Sequence, residues 1–240
     1  LLAIVFMLML ADNLRLVLWV AVIPAALSVA VLIFGVREPD TASRTGKGLL
    51  RLSAVREMPP AFWAVVVVGG ILTLARFSEA FLVLRAEDTG MAARYVPLVM
   101  VVMSVVYAAA AYPAGVLSDR VGRNGLLVAG LVILVAANLV LANATTPALV
   151  LIGAAMWGLH MGLSQGLLAA MVGDTAPPAL VGSAFGLFYL VSGLALLAAS
   201  ILAGMLWDAQ GPAATFYAGA GITVAALIGL LLLQRLVRPR

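Results

Sequence analysis

Arg76 and Glu79 stand three residues apart inside an otherwise apolar stretch at 61–84. On a helix that spacing stacks them one turn apart. Charges in such surroundings are costly and mark a functional or mutually paired site. Two chemistries fit. Arg76 can hold an anionic group while Glu79 takes up and releases a proton. Equally, the two can neutralise each other near a rim marked by Arg85, with Arg76 snorkelling outward.

A second set surrounds the single histidine, His160. Trp157, His160, Met161, Ser164 and Gln165 follow i, i+3, i+4, i+7 and i+8, so a helix gathers them on one face. A polar and aromatic face amid alanine and leucine is expected to point at a cavity rather than at lipid. There His160 serves as a proton relay or as an interhelical hydrogen bond. Tyr107, Phe185, Phe188, Tyr189 and Ser192 are placed to line the same cavity, or to pack. Trp63 and Trp207 sit at the ends of apolar runs and fit an interfacial belt. Asn138 is one further polar residue within a run.

Catalytic chemistry finds little support. One histidine and no cysteine leave no zinc cluster. Ser164 lies near His160, but no acid orients the two and no G-x-S-x-G elbow exists. A phosphate-binding P-loop is absent as well, which argues against ATP-driven work by this chain. The expectation is a protein that is not an enzyme and needs no cofactor or metal.

The elements that position these residues follow from composition. Of the 240 residues 65% are hydrophobic and 10% are charged, far too little charge to cover a water-soluble domain. This is the composition of an all-α integral membrane protein. The net charge of +4 is that of basic loops beside a bilayer. No aromatic and basic stripe supports a nucleic-acid partner.

Residues 1–10 read as the end of a truncated helix, and Ala11–Leu16 as a polar turn carrying Asp12 and Arg15. A helix at about 17–35 contains Pro24, which neighbouring helices accommodate. The segment 36–60 is the one long polar stretch and reads as a linker between two bundles. Six spans follow, at about 61–84, 95–117, 125–142, 148–170, 182–205 and 213–234. The cluster Asn143–Pro147 divides a charge-free stretch too long for one helix. The expected organisation is thus 1–35, a linker at 36–60, and a six-helix unit at 61–240. Placing the linker in the cytoplasm puts Arg37, Arg44, Lys47, Arg51, Arg56, Arg120, Arg123, Arg235, Arg238 and Arg240 on that side. Only Arg15, Arg85 and Arg94 fall opposite, as the positive-inside rule requires.

Two loops repeat a pattern. Ala114–Gly122 and Ala203–Gly211 both read A-G-x-L-x-D-x-x-G, each where one apolar run gives way to the next. An internal repeat of membrane helices is the mark of a secondary transporter. In the first loop Gly115 is expected to let helices approach closely. Asp119 is placed to meet the positive end of a helix starting near Val181. Arg120 and Arg123 are placed to grip lipid phosphates or acidic residues. A tight cytoplasmic loop needs glycine and basic residues for topology alone, but the complete pattern reads as a structural gate element. The second copy keeps Gly204, Asp208 and Gly211. Laying Gly115 on Gly204 also lays Arg76 on Gln165.

Through Gly115, Leu117, Asp119, Arg120, Gly122 and Arg123, this loop resembles the G-x-L-A-D-R-x-G-R-[RK] signature of the major facilitator superfamily. Ser118 stands where the family prefers alanine, and Asn124 where it prefers a basic residue. Asp174–Gly186 is similar to the D-x-x-P…[RK]-G-x-x-x-G start of the family's eleventh helix, with Val181 in place of the basic residue. The resemblance implies a helical bundle of two six-helix halves. This chain would supply the end of helix five, helix six, the central loop and the C-terminal half, with the N-terminal half as its missing partner. It further implies alternating-access transport of a small solute, with proton coupling resting on Glu79, in a bacterial inner membrane with the C-terminus cytoplasmic. The rival expectation is a non-transporting sensor or scaffold on the same fold.

Overall fold

The structure, a computed structural model, describes Met9 and residues 14–35 and 57–237. Apart from one short 3₁₀ turn at Ala93–Tyr95, the regular structure within them is α-helical. Helix α1 is Leu14–Gly35, α2 Pro60–Leu74, α3 Ala80–Asp88, α4 Pro97–Val121, α5 Arg123–Ala142, α6 Pro147–Thr175, α7 Val181–Gln210 and α8 Pro212–Val237. Four of them open on proline, whose missing N–H costs nothing in a first turn. Pro24 and Pro113 lie inside α1 and α4 without ending either. Helix α1 begins at Leu14, inside the expected polar turn 11–16. Residues 11–13 of that turn and 36–56 of the linker, with residues 1–8 and 10, lie outside the described residues.

Among the described residues five helices are long and apolar enough to cross a membrane, and the chain is a multi-pass membrane protein. The expected first span of the unit, 61–84, is not one helix. It breaks between Leu74 and Ala80 into α2 and α3. No proline or glycine lies in 75–79, so the cause is tertiary.

In lipid the helices associate through close packing rather than through water exclusion. Helix α6 pairs with α4 and α5, α5 with α8, α8 with α7, and α7 with α2. The α4–α6 crossing is set by Gly158 and Gly162. A Cβ on Gly158 would stand 2.2 Å from the Met103 carbonyl oxygen, and one on Gly162 2.7 Å from the Ala110 Cβ. Around this crossing lies an aromatic core in which Phe77 packs on Phe81, Trp157 and Phe216, with ring centroids 5.3, 5.4 and 5.5 Å apart. Large apolar side chains on α7, among them Leu190, Leu194, Leu197 and Ile201, stay exposed.

The turns place both ends of the bundle. At one end Arg123 of α5 forms an ion pair with Asp174 near the end of α6. At the other, Arg85 of α3 donates to the carbonyls of Leu141, Ala142 and Ala144 at 3.0, 3.2 and 2.9 Å. There Tyr217 near the start of α8 also donates to Asn143 Oδ1 at 2.8 Å. Arg85, expected at a rim, is 8% exposed and caps the end of α5.

Candidate functional site

Helix α2 ends where the Ala75 amide bonds back to Ile71. Residues 76–78 then leave the helical path, and Glu79 begins the turn into α3. Non-helical backbone at membrane depth survives only where neighbours satisfy its polar groups. Here Ser200 of α7 accepts from the Ser78 amide at 3.1 Å. Thr223 of α8 holds its hydroxyl 2.6 Å from the Gly219 carbonyl and 3.2 Å from that of Ala75, sharing one proton between them.

The break sends consecutive side chains different ways. Phe77, 4% exposed, turns into the aromatic core. Arg76 turns into a cavity of about 290 Å³ walled by α2, α6 and α7. Thr73, Gln165, Phe188, Tyr189 and Ser192 share that wall. Arg76 Nη1 lies 3.7 Å from Glu79 Oε1, close enough for an ion pair and too far for a hydrogen bond. The two side chains are 16% and 28% exposed. Among the described residues the Arg76 guanidinium makes no hydrogen bond, so its N–H donors face the cavity unspent. The Ser192 hydroxyl is buried without a partner among the described residues. Thr73, by contrast, has committed its hydroxyl to the Gly69 carbonyl at 2.8 Å.

The α6 face expected at a cavity divides. Gln165 reaches the cavity. Trp157, His160, Met161 and Ser164 lie in the packing between helices, at 0%, 3%, 8% and 4% exposure. His160 Nδ1 donates to the Gly130 carbonyl of α5 at 2.9 Å, which fixes its tautomer since a carbonyl can only accept. Ser164 donates to the His160 carbonyl one turn back. The Trp157 indole N–H has no partner among the described residues. Tyr107 packs half-buried against the same core. Both it and His160 lie near enough to Arg76 to interact with it electrostatically. Tyr189 lines the cavity and stacks on Phe185 at 6.1 Å and 27°.

At the Arg123 end, Gly122 takes φ +83° and its amide bonds to the Ser118 carbonyl, closing α4. Arg120 and Leu117 are exposed. The Asp119 side chain lies outside the described residues. Gly115 does not serve a close crossing there, because among the described residues nothing comes within 4 Å of its Cβ position. Arg123, read as gripping lipid phosphates or acidic residues, pairs with Asp174, just ahead of the turn into α7. In the second copy, Gly211 has φ +87° and ends α7, while Gly204 and the exposed Asp208 make no comparable pair among the described residues.

Sequence reasoning missed the two glycines of the α4–α6 crossing, although Gly158-x₃-Gly162 is a readable small-residue signal. It also left Ser200, Thr223 and Asn138 unassigned. Asn138 is fully buried, with its amide donating to Leu134 and its carbonyl oxygen unpartnered beside Gly219.

Residues 77–240 match the sequence profile of the Major Facilitator Superfamily. An uncharacterized MFS-type transporter of Methanocaldococcus jannaschii is 29% identical over 238 residues, covering 97% of this chain and 58% of its own length. The MFS-type transporter ppzB of Metarhizium majus is 30% identical over 118 residues, 49% of this chain and 26% of that protein. Its namesake in Metarhizium rileyi is 30% identical over 104 residues, 43% of this chain and 22% of that protein. The chain therefore spans 58% of the length of the first of these relatives and less of the other two.

Proposed function

This chain belongs to the major facilitator superfamily, and on that premise we propose that the protein carrying it moves a small solute across a membrane by secondary active transport. Residues 61–240 then form one half of the transporter, and the cavity beside the α2–α3 break is this half's share of the solute site. The observation that carries the reading is the break itself. It sets Arg76, whose guanidinium makes no hydrogen bond among the described residues, on a hollow where three helices meet. Broken helices at membrane depth are the recurrent place for solute and ion sites in secondary transporters. Glu79, paired loosely to Arg76, is the group assigned to proton exchange. The Arg123–Asp174 pair, at the C-terminal end of α6, acts in the gate, with that end on the cytoplasmic side.

The test is accumulation. Full-length protein reconstituted in liposomes is offered a mixture of small metabolites, and the lumen is analysed by mass spectrometry. At least one solute is expected to accumulate, and Arg76→Gln to abolish it. No accumulation of any solute, or accumulation indifferent to Arg76→Gln, would refute the reading and favour a scaffold.

A further inference from the structure

Resting on that reading of the cavity, we propose that it selects a small organic carboxylate: a forked anionic head with a short apolar or aromatic body. Three donors converge on the hollow from different elements. Arg76 enters from the break, Gln165 from α6 and Ser192 from α7. None of the three hydrogen-bonds to another described residue, and the Ser192 hydroxyl is buried as well as unpartnered. A buried donor without an acceptor is costly, so the wall is built to be completed by something that accepts. A guanidinium offers two parallel N–H groups that match a carboxylate fork. Glu79 does not use that fork, since it stands 3.7 Å away and is not part of the cavity lining.

The other solute classes fit less well. A cation would need a carboxylate on the wall, and none of the lining residues is acidic. A polyhydroxylated neutral solute would need many partners. Beyond Arg76, Gln165 and Ser192 the wall offers the already bonded Thr73, the single phenol of the exposed Tyr189 and an apolar bed of Leu168, Phe188 and Leu196. That bed is fixed from behind. The Phe188 ring lies over Gly69, where a Cβ would come within 2.4 Å of its Cε2, so the ring occupies space that only glycine leaves open. The volume of about 290 Å³ is at the small end of small-molecule sites, which limits the body to roughly one ring.

The experiment uses purified full-length protein and three probes of one shape: benzoate, benzamide and benzylamine. Binding is measured by calorimetry and by the rise in unfolding temperature. Benzoate is expected to bind, with benzamide and benzylamine at least tenfold weaker. Arg76→Lys, which keeps the charge and loses the fork, is expected to weaken benzoate tenfold or more, and Gln165→Leu several-fold. Leu168→Trp, which fills the bed without touching a donor, is expected to block it. Size-exclusion profiles confirm that each variant is folded. Equal binding of benzamide, or benzoate binding that survives Arg76→Gln, would overturn the carboxylate assignment. So would failure of benzoate together with loss of unfolding temperature in solute-free Arg76→Gln, which would give the guanidinium to an acidic residue elsewhere in the protein. Arg76-dependent transport of a neutral solute would overturn the solute class while leaving the transport reading intact.

Discussion

Gly122 and Gly211 occupy the same position in the two loop copies and the same backbone conformation, φ +83° with ψ 148° and φ +87° with ψ 174°. Each ends a long helix and accepts a new one at once, α4 into α5 and α7 into α8. In each copy the repeat's leading alanine is buried, Ala114 at 2% and Ala203 at 4% exposure. The two junctions lie at opposite ends of the bundle, because α5 and α6 carry the chain across and back between them before α7 crosses again. An inverted pair of three-helix units is what this geometry describes. The register that matches the glycines also matches Arg76 with Gln165, and both reach one cavity.

The glycine conformation is closed to L-residues, since φ near +85° with extended ψ is used almost solely by glycine. Gly122→Ala and Gly211→Ala should each destabilise the protein by about 1–3 kcal/mol. Gly115→Ala is the control. Its Cβ meets nothing within 4 Å among the described residues, and alanine is the better helix former, so stability should hold or rise slightly. Thermal unfolding of detergent-purified protein measures all three.

A second contrast lies on α6. Gly158→Ala drives a methyl into the backbone of α4 at Met103, where nothing flexible can yield. The helices must part, at a cost of about 1–3 kcal/mol or more. Gly166→Ala, two turns on and with nothing within 4 Å among the described residues, should be silent. Equal losses in monodisperse yield and unfolding temperature would refute the crossing.

Arg85 joins α3 to the end of α5 through carbonyls at that end. Three oxygens at the end of α5 accept from it, and Asp88 pairs with it. Arg85→Met leaves those acceptors without a donor and should cost about 2–4 kcal/mol, with Arg85→Lys intermediate. Asp88, 41% exposed in its side chain, is worth less, and Asp88→Asn should cost at most about 1 kcal/mol. Unfolding of the three variants under one detergent condition ranks them.

How much of this could be read from residues alone depends on what each residue needed. Composition and the apolar runs give a helical membrane bundle, and the loop at 114–123 gives its family, because both are local signals. The α2–α3 break is not local. Ala75-Arg76-Phe77-Ser78-Glu79 contains no breaker, and the acceptor and donor that permit the break, Ser200 and Thr223, lie far along the chain on α7 and α8. Arg76 was legible as a costly charge, yet its release from the helix toward a cavity required knowing that Phe77 is captured by Trp157 and Phe216. The face around His160 fails for a related reason. A polar stripe looks the same whether it meets water or another helix, and only the Gly130 carbonyl decides.

The Arg123–Asp174 pair is half-exposed, 37% and 61% in its side chains, so it should add only about 0.2–1 kcal/mol to stability. Its proposed role is kinetic. Arg123→Asp or Asp174→Arg alone should slow transport with little change in unfolding temperature. The double exchange, which restores the pair in reverse, should recover much of the rate. Recovery that fails while both singles remain folded would remove the pair from the gate.

Proton coupling is the sharpest consequence of placing Glu79 beside Arg76. In the proposed mechanism the Glu79 carboxylate, 28% exposed beside Arg76, takes up a proton when the arriving solute claims the guanidinium. One proton would then travel with each solute. With the membrane potential clamped at zero, a gradient of one pH unit supports about tenfold accumulation, since each unit is worth about 1.36 kcal/mol. Glu79→Gln cannot carry that proton. In proteoliposomes the variant should still exchange labelled for unlabelled solute across the membrane, while its pH-driven accumulation falls to unity. Glu79→Asp, a methylene shorter and still titratable, should keep the coupling at a reduced rate. Accumulation by Glu79→Gln that still follows the pH gradient would move the proton to another group and leave Glu79 as a counter-ion of Arg76 alone.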